Sequence, residues 1–227
     1  MTERNFNTGL QHREKNYIRR YVITTYLIFW GAIMLVGVLF LLSGQNKSVM
    51  NWGTVGASWV PTIVLMCSFH KLFPEEKRSD WIKNAFKPRL KIGILLFVTV
   101  CLVTAVLGTY VIAVQSNNEL SFHDLKGITI QSLIPIIFFA ITQGATGEEA
   151  GWRGFLQQYF EKKYHGKVVK SALVVGVIWS FWHTPLWFIT GLPPVQMLIY
   201  IGTVIIGNLC LSVMIAVCYV YCRNLIV

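Results

Sequence analysis

The sequence predicts an all-α fold, a polytopic transmembrane helical bundle of about six spans, and three observations carry that prediction. The first is composition: 54% of the 227 residues are hydrophobic, 13% are charged and the mean hydropathy is +0.54, too apolar for a water-soluble domain of this length. The second is the length of the apolar runs. Residues 21–42, 52–69, 92–114, 172–189 and 195–221 are each close to the roughly 20 residues of helix that a hydrocarbon core demands, and a sixth run begins at Ile128. The third is where the positive charge falls. Seventeen of the twenty Lys and Arg lie in residues 4–20, 71–91, 162–170 and at Arg223, so basic loops alternate with nearly uncharged ones. Because basic loops stay in the cytoplasm, this alternation predicts a cell-membrane protein with a cytoplasmic N-terminus.

Taken in order, residues 1–20 form a basic cytoplasmic segment. No small-residue cleavage site follows the run at 21–42, which therefore reads as a retained first span and not as a signal peptide. After the second run, residues 73–90 set Trp81, Ile82 and Phe86 among lysines between Pro74 and Pro88, the pattern of an interfacial helix on the cytoplasmic leaflet. The chain thus divides into the basic segment 1–20, N-terminal spans within 21–127 and a C-terminal unit, 128–227. The net charge of +10 follows from topology and from attraction to anionic membrane lipids. No soluble face interleaves aromatic and basic residues, so no nucleic-acid partner is expected. Cys67, Cys101, Cys210, Cys218 and Cys222 show neither metal-ligand nor redox spacing and read as small packing residues.

The fourth run departs from this pattern. After residues 128–140 the chain reads ITQGATGEEAGWRGFLQQYFEKKYHGK, so Glu148, Glu149 and Arg153 arrive before the lysines that mark the membrane edge. Thirteen residues separate Glu148 from Glu161, which as one α-helix places the carboxylate roughly 20 Å from the loop. Ionisable groups at such depth are costly and are either paired or functional. Glu149 and Arg153 stand at i, i+4 with the acid first, the favourable order for a helical ion pair, and Glu148 has no obvious local partner. Gly144, Gly147, Gly151 and Gly154 recur at helical spacing, which lets another backbone approach closely.

The second polar anomaly is WSFWHTPLWF, residues 179–188, which sets His183 within the fifth span among tryptophans. The point midway between His165 and Gly166 is equidistant in sequence from residues 148 and 183, so an antiparallel helical hairpin folded there brings Glu148 and His183 to one depth. A carboxylate and an imidazole together can deprotonate water and position it, polarise a carbonyl or bind a metal. They also suit a proton relay in a transporter, but the inverted repeats common in transporters are not found.

GEEAGWRGF resembles the Glu-Glu-x-x-x-Arg signature of the CPBP family: type II CAAX prenyl endopeptidases with bacteriocin-processing and immunity proteins, also called the abortive-infection family. WSFWHTPLW resembles the family's second motif, Phe-x-x-x-His, with Trp179 standing where Phe is usual. The resemblance covers roughly residues 128–227. It implies a glutamate-dependent intramembrane endopeptidase acting on a membrane-embedded or lipid-modified peptide. On that pattern Glu148 is the water-activating base, His183 shares its site, and Glu149 and Arg153 support it; Glu148 and His183 become metal ligands where a zinc ion is used.

One departure bears on activity. The family pattern ends in a further helix with His-x-x-x-Asn or His-x-x-x-Asp, which supplies a second histidine and an oxyanion-stabilising side chain. No histidine follows His183, and the chain closes on YCRNLIV. The expectation is a C-terminally incomplete unit with little or no peptidase activity as it stands. The alternative is a non-catalytic membrane immunity or regulatory protein that binds a partner through the same cavity.

Overall fold

A computed structural model describes residues 3–87, 91–94, 96–101, 103–104, 138, 141–189, 191–222 and 224–225. Among these every regular element is helical. Three helices are long and apolar enough to cross a bilayer, Asn16–Leu42, Lys47–Leu72 and Pro194–Cys222, and the chain is an all-α helical membrane protein. The predicted run 92–114 and the start of the run at Ile128 lie largely outside the described residues.

α1 (Glu3–Leu42) is continuous, and its apolar stretch carries no proline to break it. It ends where Gly44 and Gln45 take positive φ, and the Asn46 side chain then accepts from the Ser48 amide to start α2 (Lys47–Ser58). α3 (Val60–Leu72) follows after Trp59 alone, with Pro61 in its first turn. Pro61 has no N–H to give, so one apolar crossing is built from two helical pieces.

α4 (Arg78–Ala85) lies within residues 73–90, where an interfacial helix is expected, and packs one face on the protein. Trp81 and Ala85 are buried, and the Trp81 ring packs against Phe69 and Phe73. A Cβ on Gly154 would stand 3.0 Å from Trp81 Cη2, and Leu225 N–H donates to Ala85 O at 3.0 Å. The tryptophan that looked like a lipid anchor is a core residue.

The motif region is helical throughout but unevenly wound. Ile141–Glu148 and Trp152–Gln157 are π-helical, separated by the short α-helical Glu149–Gly151 and followed by Gln158–Lys163. We refer to these four pieces together as the motif helix. It ends in a turn where His165 and Gly166 adopt positive φ and Gly166 N–H returns to Glu161 O, a left-handed C-cap at the predicted hairpin point. α5 (Val168–Trp182) runs back along it. The predicted single span 172–189 is instead broken: α5 stops at Trp182, His183 is the junction, and α6 (Thr184–Phe188) begins with Pro185 in its first turn. Pro185 cannot donate to the Phe181 carbonyl, and the Thr184 hydroxyl donates to it instead.

α7 (Pro194–Cys222) packs along α5. Ser212 Oγ donates to Ala172 O at 2.8 Å, and a Cβ on Gly176 would meet Leu209 Cδ2 and Ser212 Cβ at 3.0 Å. This is the small-residue contact by which membrane helices approach when lipid supplies no hydrophobic drive. Leu27, Met34 and Leu39 of α1 and Leu198, Ile199 and Ile206 of α7 are exposed, the apolar exterior a bilayer requires. The core lies around the motif helix, with Tyr21, Leu65, Phe69, Trp152, Leu156 and Trp182 buried together.

Candidate active site

Three faces hold the motif helix, and each uses a position where its backbone is bare. A Cβ on Gly147 would lie 3.0 Å from Ser58 Oγ; on Gly151 it would overlap the Tyr21 hydroxyl and stand 2.7 Å from Pro61 Cβ. The glycine spacing therefore has the use the sequence predicts, admitting α1, α2 and α3 against the backbone. Thr62 Oγ1 donates to Gly147 O at 2.7 Å, one residue before the carboxylates. The wide turns on either side change the angular register of the side chains, a feature common at functional sites.

Glu148, Glu149 and Arg153 are all buried. The predicted ion pair forms: Arg153 Nε lies 3.2 Å from Glu149 Oε2, and Nη1 donates to Glu149 Oε1 at 3.2 Å. Arg153 is thereby committed to Glu149 and not to Glu148. The partner of Glu148 comes from α5. Trp179 Nε1–H donates to Glu148 Oε2 at 2.6 Å, while the face of the same indole lies 4.7 Å from the Arg153 guanidinium carbon. One side chain therefore contacts the free carboxylate through its edge and the ion pair through its face, a cation–π contact for which tryptophan is the best ring.

His183 sits one turn beyond Trp179, half-buried at the helix break. Its Nδ1 is 2.9 Å from Trp179 O, and its ring lies 4.8 Å from Trp182 and 5.4 Å from Trp179. A carbonyl can only accept, so Nδ1 carries a proton, and in the neutral ring Nε2 keeps the lone pair for a substrate proton, a water or a ligand. The break is stabilised by α1, whose Tyr26 hydroxyl donates to Ile178 O and whose Trp30 indole donates to Trp182 O at 3.0 Å. Glu148 and His183 are thus linked through Trp179, with no direct hydrogen bond between them among the described contacts.

The sequence reading missed this residue. WSFWH marks Trp179 as a departure from Phe, but only the structure reveals what the extra N–H does: it reaches Glu148 across the hairpin. Nearby, the buried Trp152 and Trp182 indole N–H groups and Arg153 Nη2 have no hydrogen-bond partner among the described residues. Such orphan donors are rare in a folded interior and mark positions where an acceptor is expected.

A zinc ion would require more than is found here. Catalytic zinc takes three protein ligands, and among the described residues no group of three His, Cys, Asp or Glu side chains is placed to hold a metal. Glu148 and His183 by themselves do not make a zinc site, and no step below is routed through one.

Comparison with known proteins agrees with these motifs. Residues 130–227 match the family described as Type II CAAX prenyl endopeptidase Rce1-like. The chain is also 24% identical over 177 residues to a protein named CAAX prenyl protease 2 from Methanococcus maripaludis. That alignment covers 77% of this chain and 62% of the relative, so the chain spans less than two thirds of that protein's length. No solved structure matches significantly. Residues 130–227, a little under half of the chain, are thus similar to the Rce1-like type II CAAX prenyl endopeptidases.

Proposed function

We propose that this protein is a CAAX-protease-like intramembrane endopeptidase that hydrolyses a peptide bond in a membrane-embedded or lipid-modified peptide, with Glu148 as the base. The observation that carries the reading is the division of labour between the adjacent carboxylates. Glu149 is paired with Arg153 in contact, whereas Glu148 is buried, accepts from the Trp179 indole at Oε2, lies near the Trp152 indole, and makes no ion pair in contact among the described residues. A carboxylate held only to neutralise Arg153 would be Glu149; Glu148 has no such employment.

In this mechanism Glu148 takes a proton from water as the oxygen attacks the scissile carbonyl carbon, and the carbonyl π electrons move to oxygen. His183 Nε2 lies within the same site to orient that water or the leaving nitrogen. When the tetrahedral intermediate collapses, the C–N bond breaks and the proton held by Glu148 passes to the departing amine. The orphan donors Trp152 Nε1 and Arg153 Nη2 are the groups we assign to the oxyanion, the role for which they have the required chemistry. The charge alternation supports a multi-pass arrangement with the basic N-terminal segment in the cytoplasm.

The test is cleavage of a quenched fluorescent lipidated peptide by the full chain in proteoliposomes. Glu148→Gln should lower turnover by about 10²–10⁴-fold, the usual range for removing a general base, while leaving the thermal midpoint of unfolding unchanged. Equal, measurable turnover in the wild type and Glu148→Gln would remove Glu148 as the base, and no turnover by the wild type would favour a binding role.

A further inference from the structure

Away from the carboxylates, α1 and α3 flank a partly open pocket of about 200 Å³ lined by Tyr17, Arg20, Tyr21, Thr24, Ser68, Lys71 and Leu72, with Arg20 and Lys71 exposed at its mouth. Its chemistry is one-sided. Two cations and four hydroxyls face it, and no carboxylate does. Neither Arg20 nor Lys71 has an ion-pair partner among the described residues. Two uncompensated cations on one small cavity repel each other, and an anion is the natural third party.

The depth of the cavity identifies the anion. Arg20 immediately precedes the apolar run that starts at Tyr21, and Lys71 lies in the last turn of α3, where the apolar crossing Lys47–Leu72 ends. Both cations therefore stand at the boundary between hydrocarbon and headgroups, the level at which lipid phosphates lie. Basic pockets between helices at this level recognise anionic headgroups, and the hydroxyls of Tyr17, Thr24 and Ser68 offer donors that a phosphodiester can use. We propose that this cavity is a binding site for the phosphate-bearing headgroup of an anionic phospholipid.

The site is joined to the rest of the molecule through Tyr21. Its hydroxyl is donated to Pro61 O at 3.1 Å, and its ring meets Phe155 and Trp152 edge-on at 4.9 and 6.5 Å. The same side chain is a wall of the cavity and a contact of the motif helix. The proposal does not depend on peptidase activity, and its test needs none.

Native mass spectrometry of the full chain in neutral detergent, titrated with phosphatidylglycerol or phosphatidylcholine, reads the site directly. The wild type should retain one phosphatidylglycerol in preference to phosphatidylcholine. Arg20→Gln/Lys71→Gln should bind it about 25-fold more weakly, the product of roughly fivefold per basic residue near a membrane surface. Lys162→Gln/Lys163→Gln, which removes the same charge elsewhere, should change binding less than twofold. Ser68→Trp, which fills the cavity and keeps both cations, should also abolish retention, and it keeps the proposal testable if the double variant does not fold. Equal weakening in the two charge-matched variants, or full retention in Ser68→Trp, would overturn the site. Displacement of phosphatidylglycerol by inorganic phosphate at equal concentration would assign the cavity to a soluble phosphate and overturn the lipid headgroup.

Discussion

Two apolar helical stretches of this protein are broken at a proline beside the motif helix, and the two breaks serve different ends. At the first, between α2 and α3, Pro61 is fully buried; its carbonyl accepts from Tyr21, Thr62 clamps Gly147 O, and Gly151 lies against the Pro61 ring. Among the described residues, no buried side-chain polar atom of residues 57–62 lacks a partner there. At the second, between α5 and α6, α1 takes up the carbonyls of Ile178 and Trp182, and His183 stays half-buried with Nε2 uncommitted among the described contacts. A proline at membrane depth is therefore not itself the mark of a site. What distinguishes the two is whether the surroundings use every polar group the break sets free.

The sharpest way to break this comparison is at the second proline. His183→Ala should lower turnover of the lipidated peptide by about 10²–10⁴-fold and leave unfolding in detergent nearly unchanged, because the ring is wanted for chemistry and not for packing. A fall in stability with intact turnover would show the opposite and reduce His183 to a packed histidine. At the first break the order of effects reverses. Gly151→Ala pushes a methyl group into Pro61 and the Tyr21 hydroxyl, a wall of backbone and ring that cannot give way. Overpacking of this kind costs about 1–3 kcal/mol, so a lower thermal midpoint is expected, with a smaller loss of turnover per folded molecule.

Trp179 tests the connection between the hairpin arms. Trp179→Phe restores the residue usual in the motif, keeps an aromatic face for Arg153 and removes only the N–H to Glu148. A hydrogen bond to a charged group is worth about 1.5–3 kcal/mol, so kcat should fall roughly 10- to 100-fold with KM little changed. A change confined to KM would mean that the indole contacts substrate and does not position the base.

These residues also separate what the sequence could show from what it could not. Glu149 and Arg153 were legible because an i, i+4 ion pair is a local contact, and the hairpin because a left-handed pair such as His165–Gly166 stops a helix at a definite place. The three long spans, Asn16–Leu42, Lys47–Leu72 and Pro194–Cys222, were legible because hydrocarbon thickness fixes their length. The break at His183 was hidden inside the apolar run 172–189, although Thr184–Pro185 carried the signal: hydropathy records the solvent and not the winding. The wide turns at Ile141–Glu148 and Trp152–Gln157 have no such signal, since π-winding depends on what packs against the helix. The contacts of Trp81 and Trp179 were hidden for a related reason. An isolated tryptophan reads equally as interface anchor, core or donor, and only tertiary contact decides among them.

Thr62 offers the smallest and most local test of the same contrast. Its hydroxyl reaches across from the first break to Gly147 O, the carbonyl that precedes the carboxylate pair, and it is the one hydrogen bond described between that break and the motif backbone. Hydrogen bonds between helices in a membrane average only about 0.6 kcal/mol, because the separated helices find other partners. Thr62→Val should accordingly lower stability by about 1 kcal/mol or less, and Thr62→Ser should restore it. If the clamp only packs, turnover per folded molecule will be unchanged in both variants. If it also sets the rotation of the wide turn that aims Glu148, Thr62→Val will lose turnover beyond its loss of stability, and the closed break will have a part in positioning the base after all.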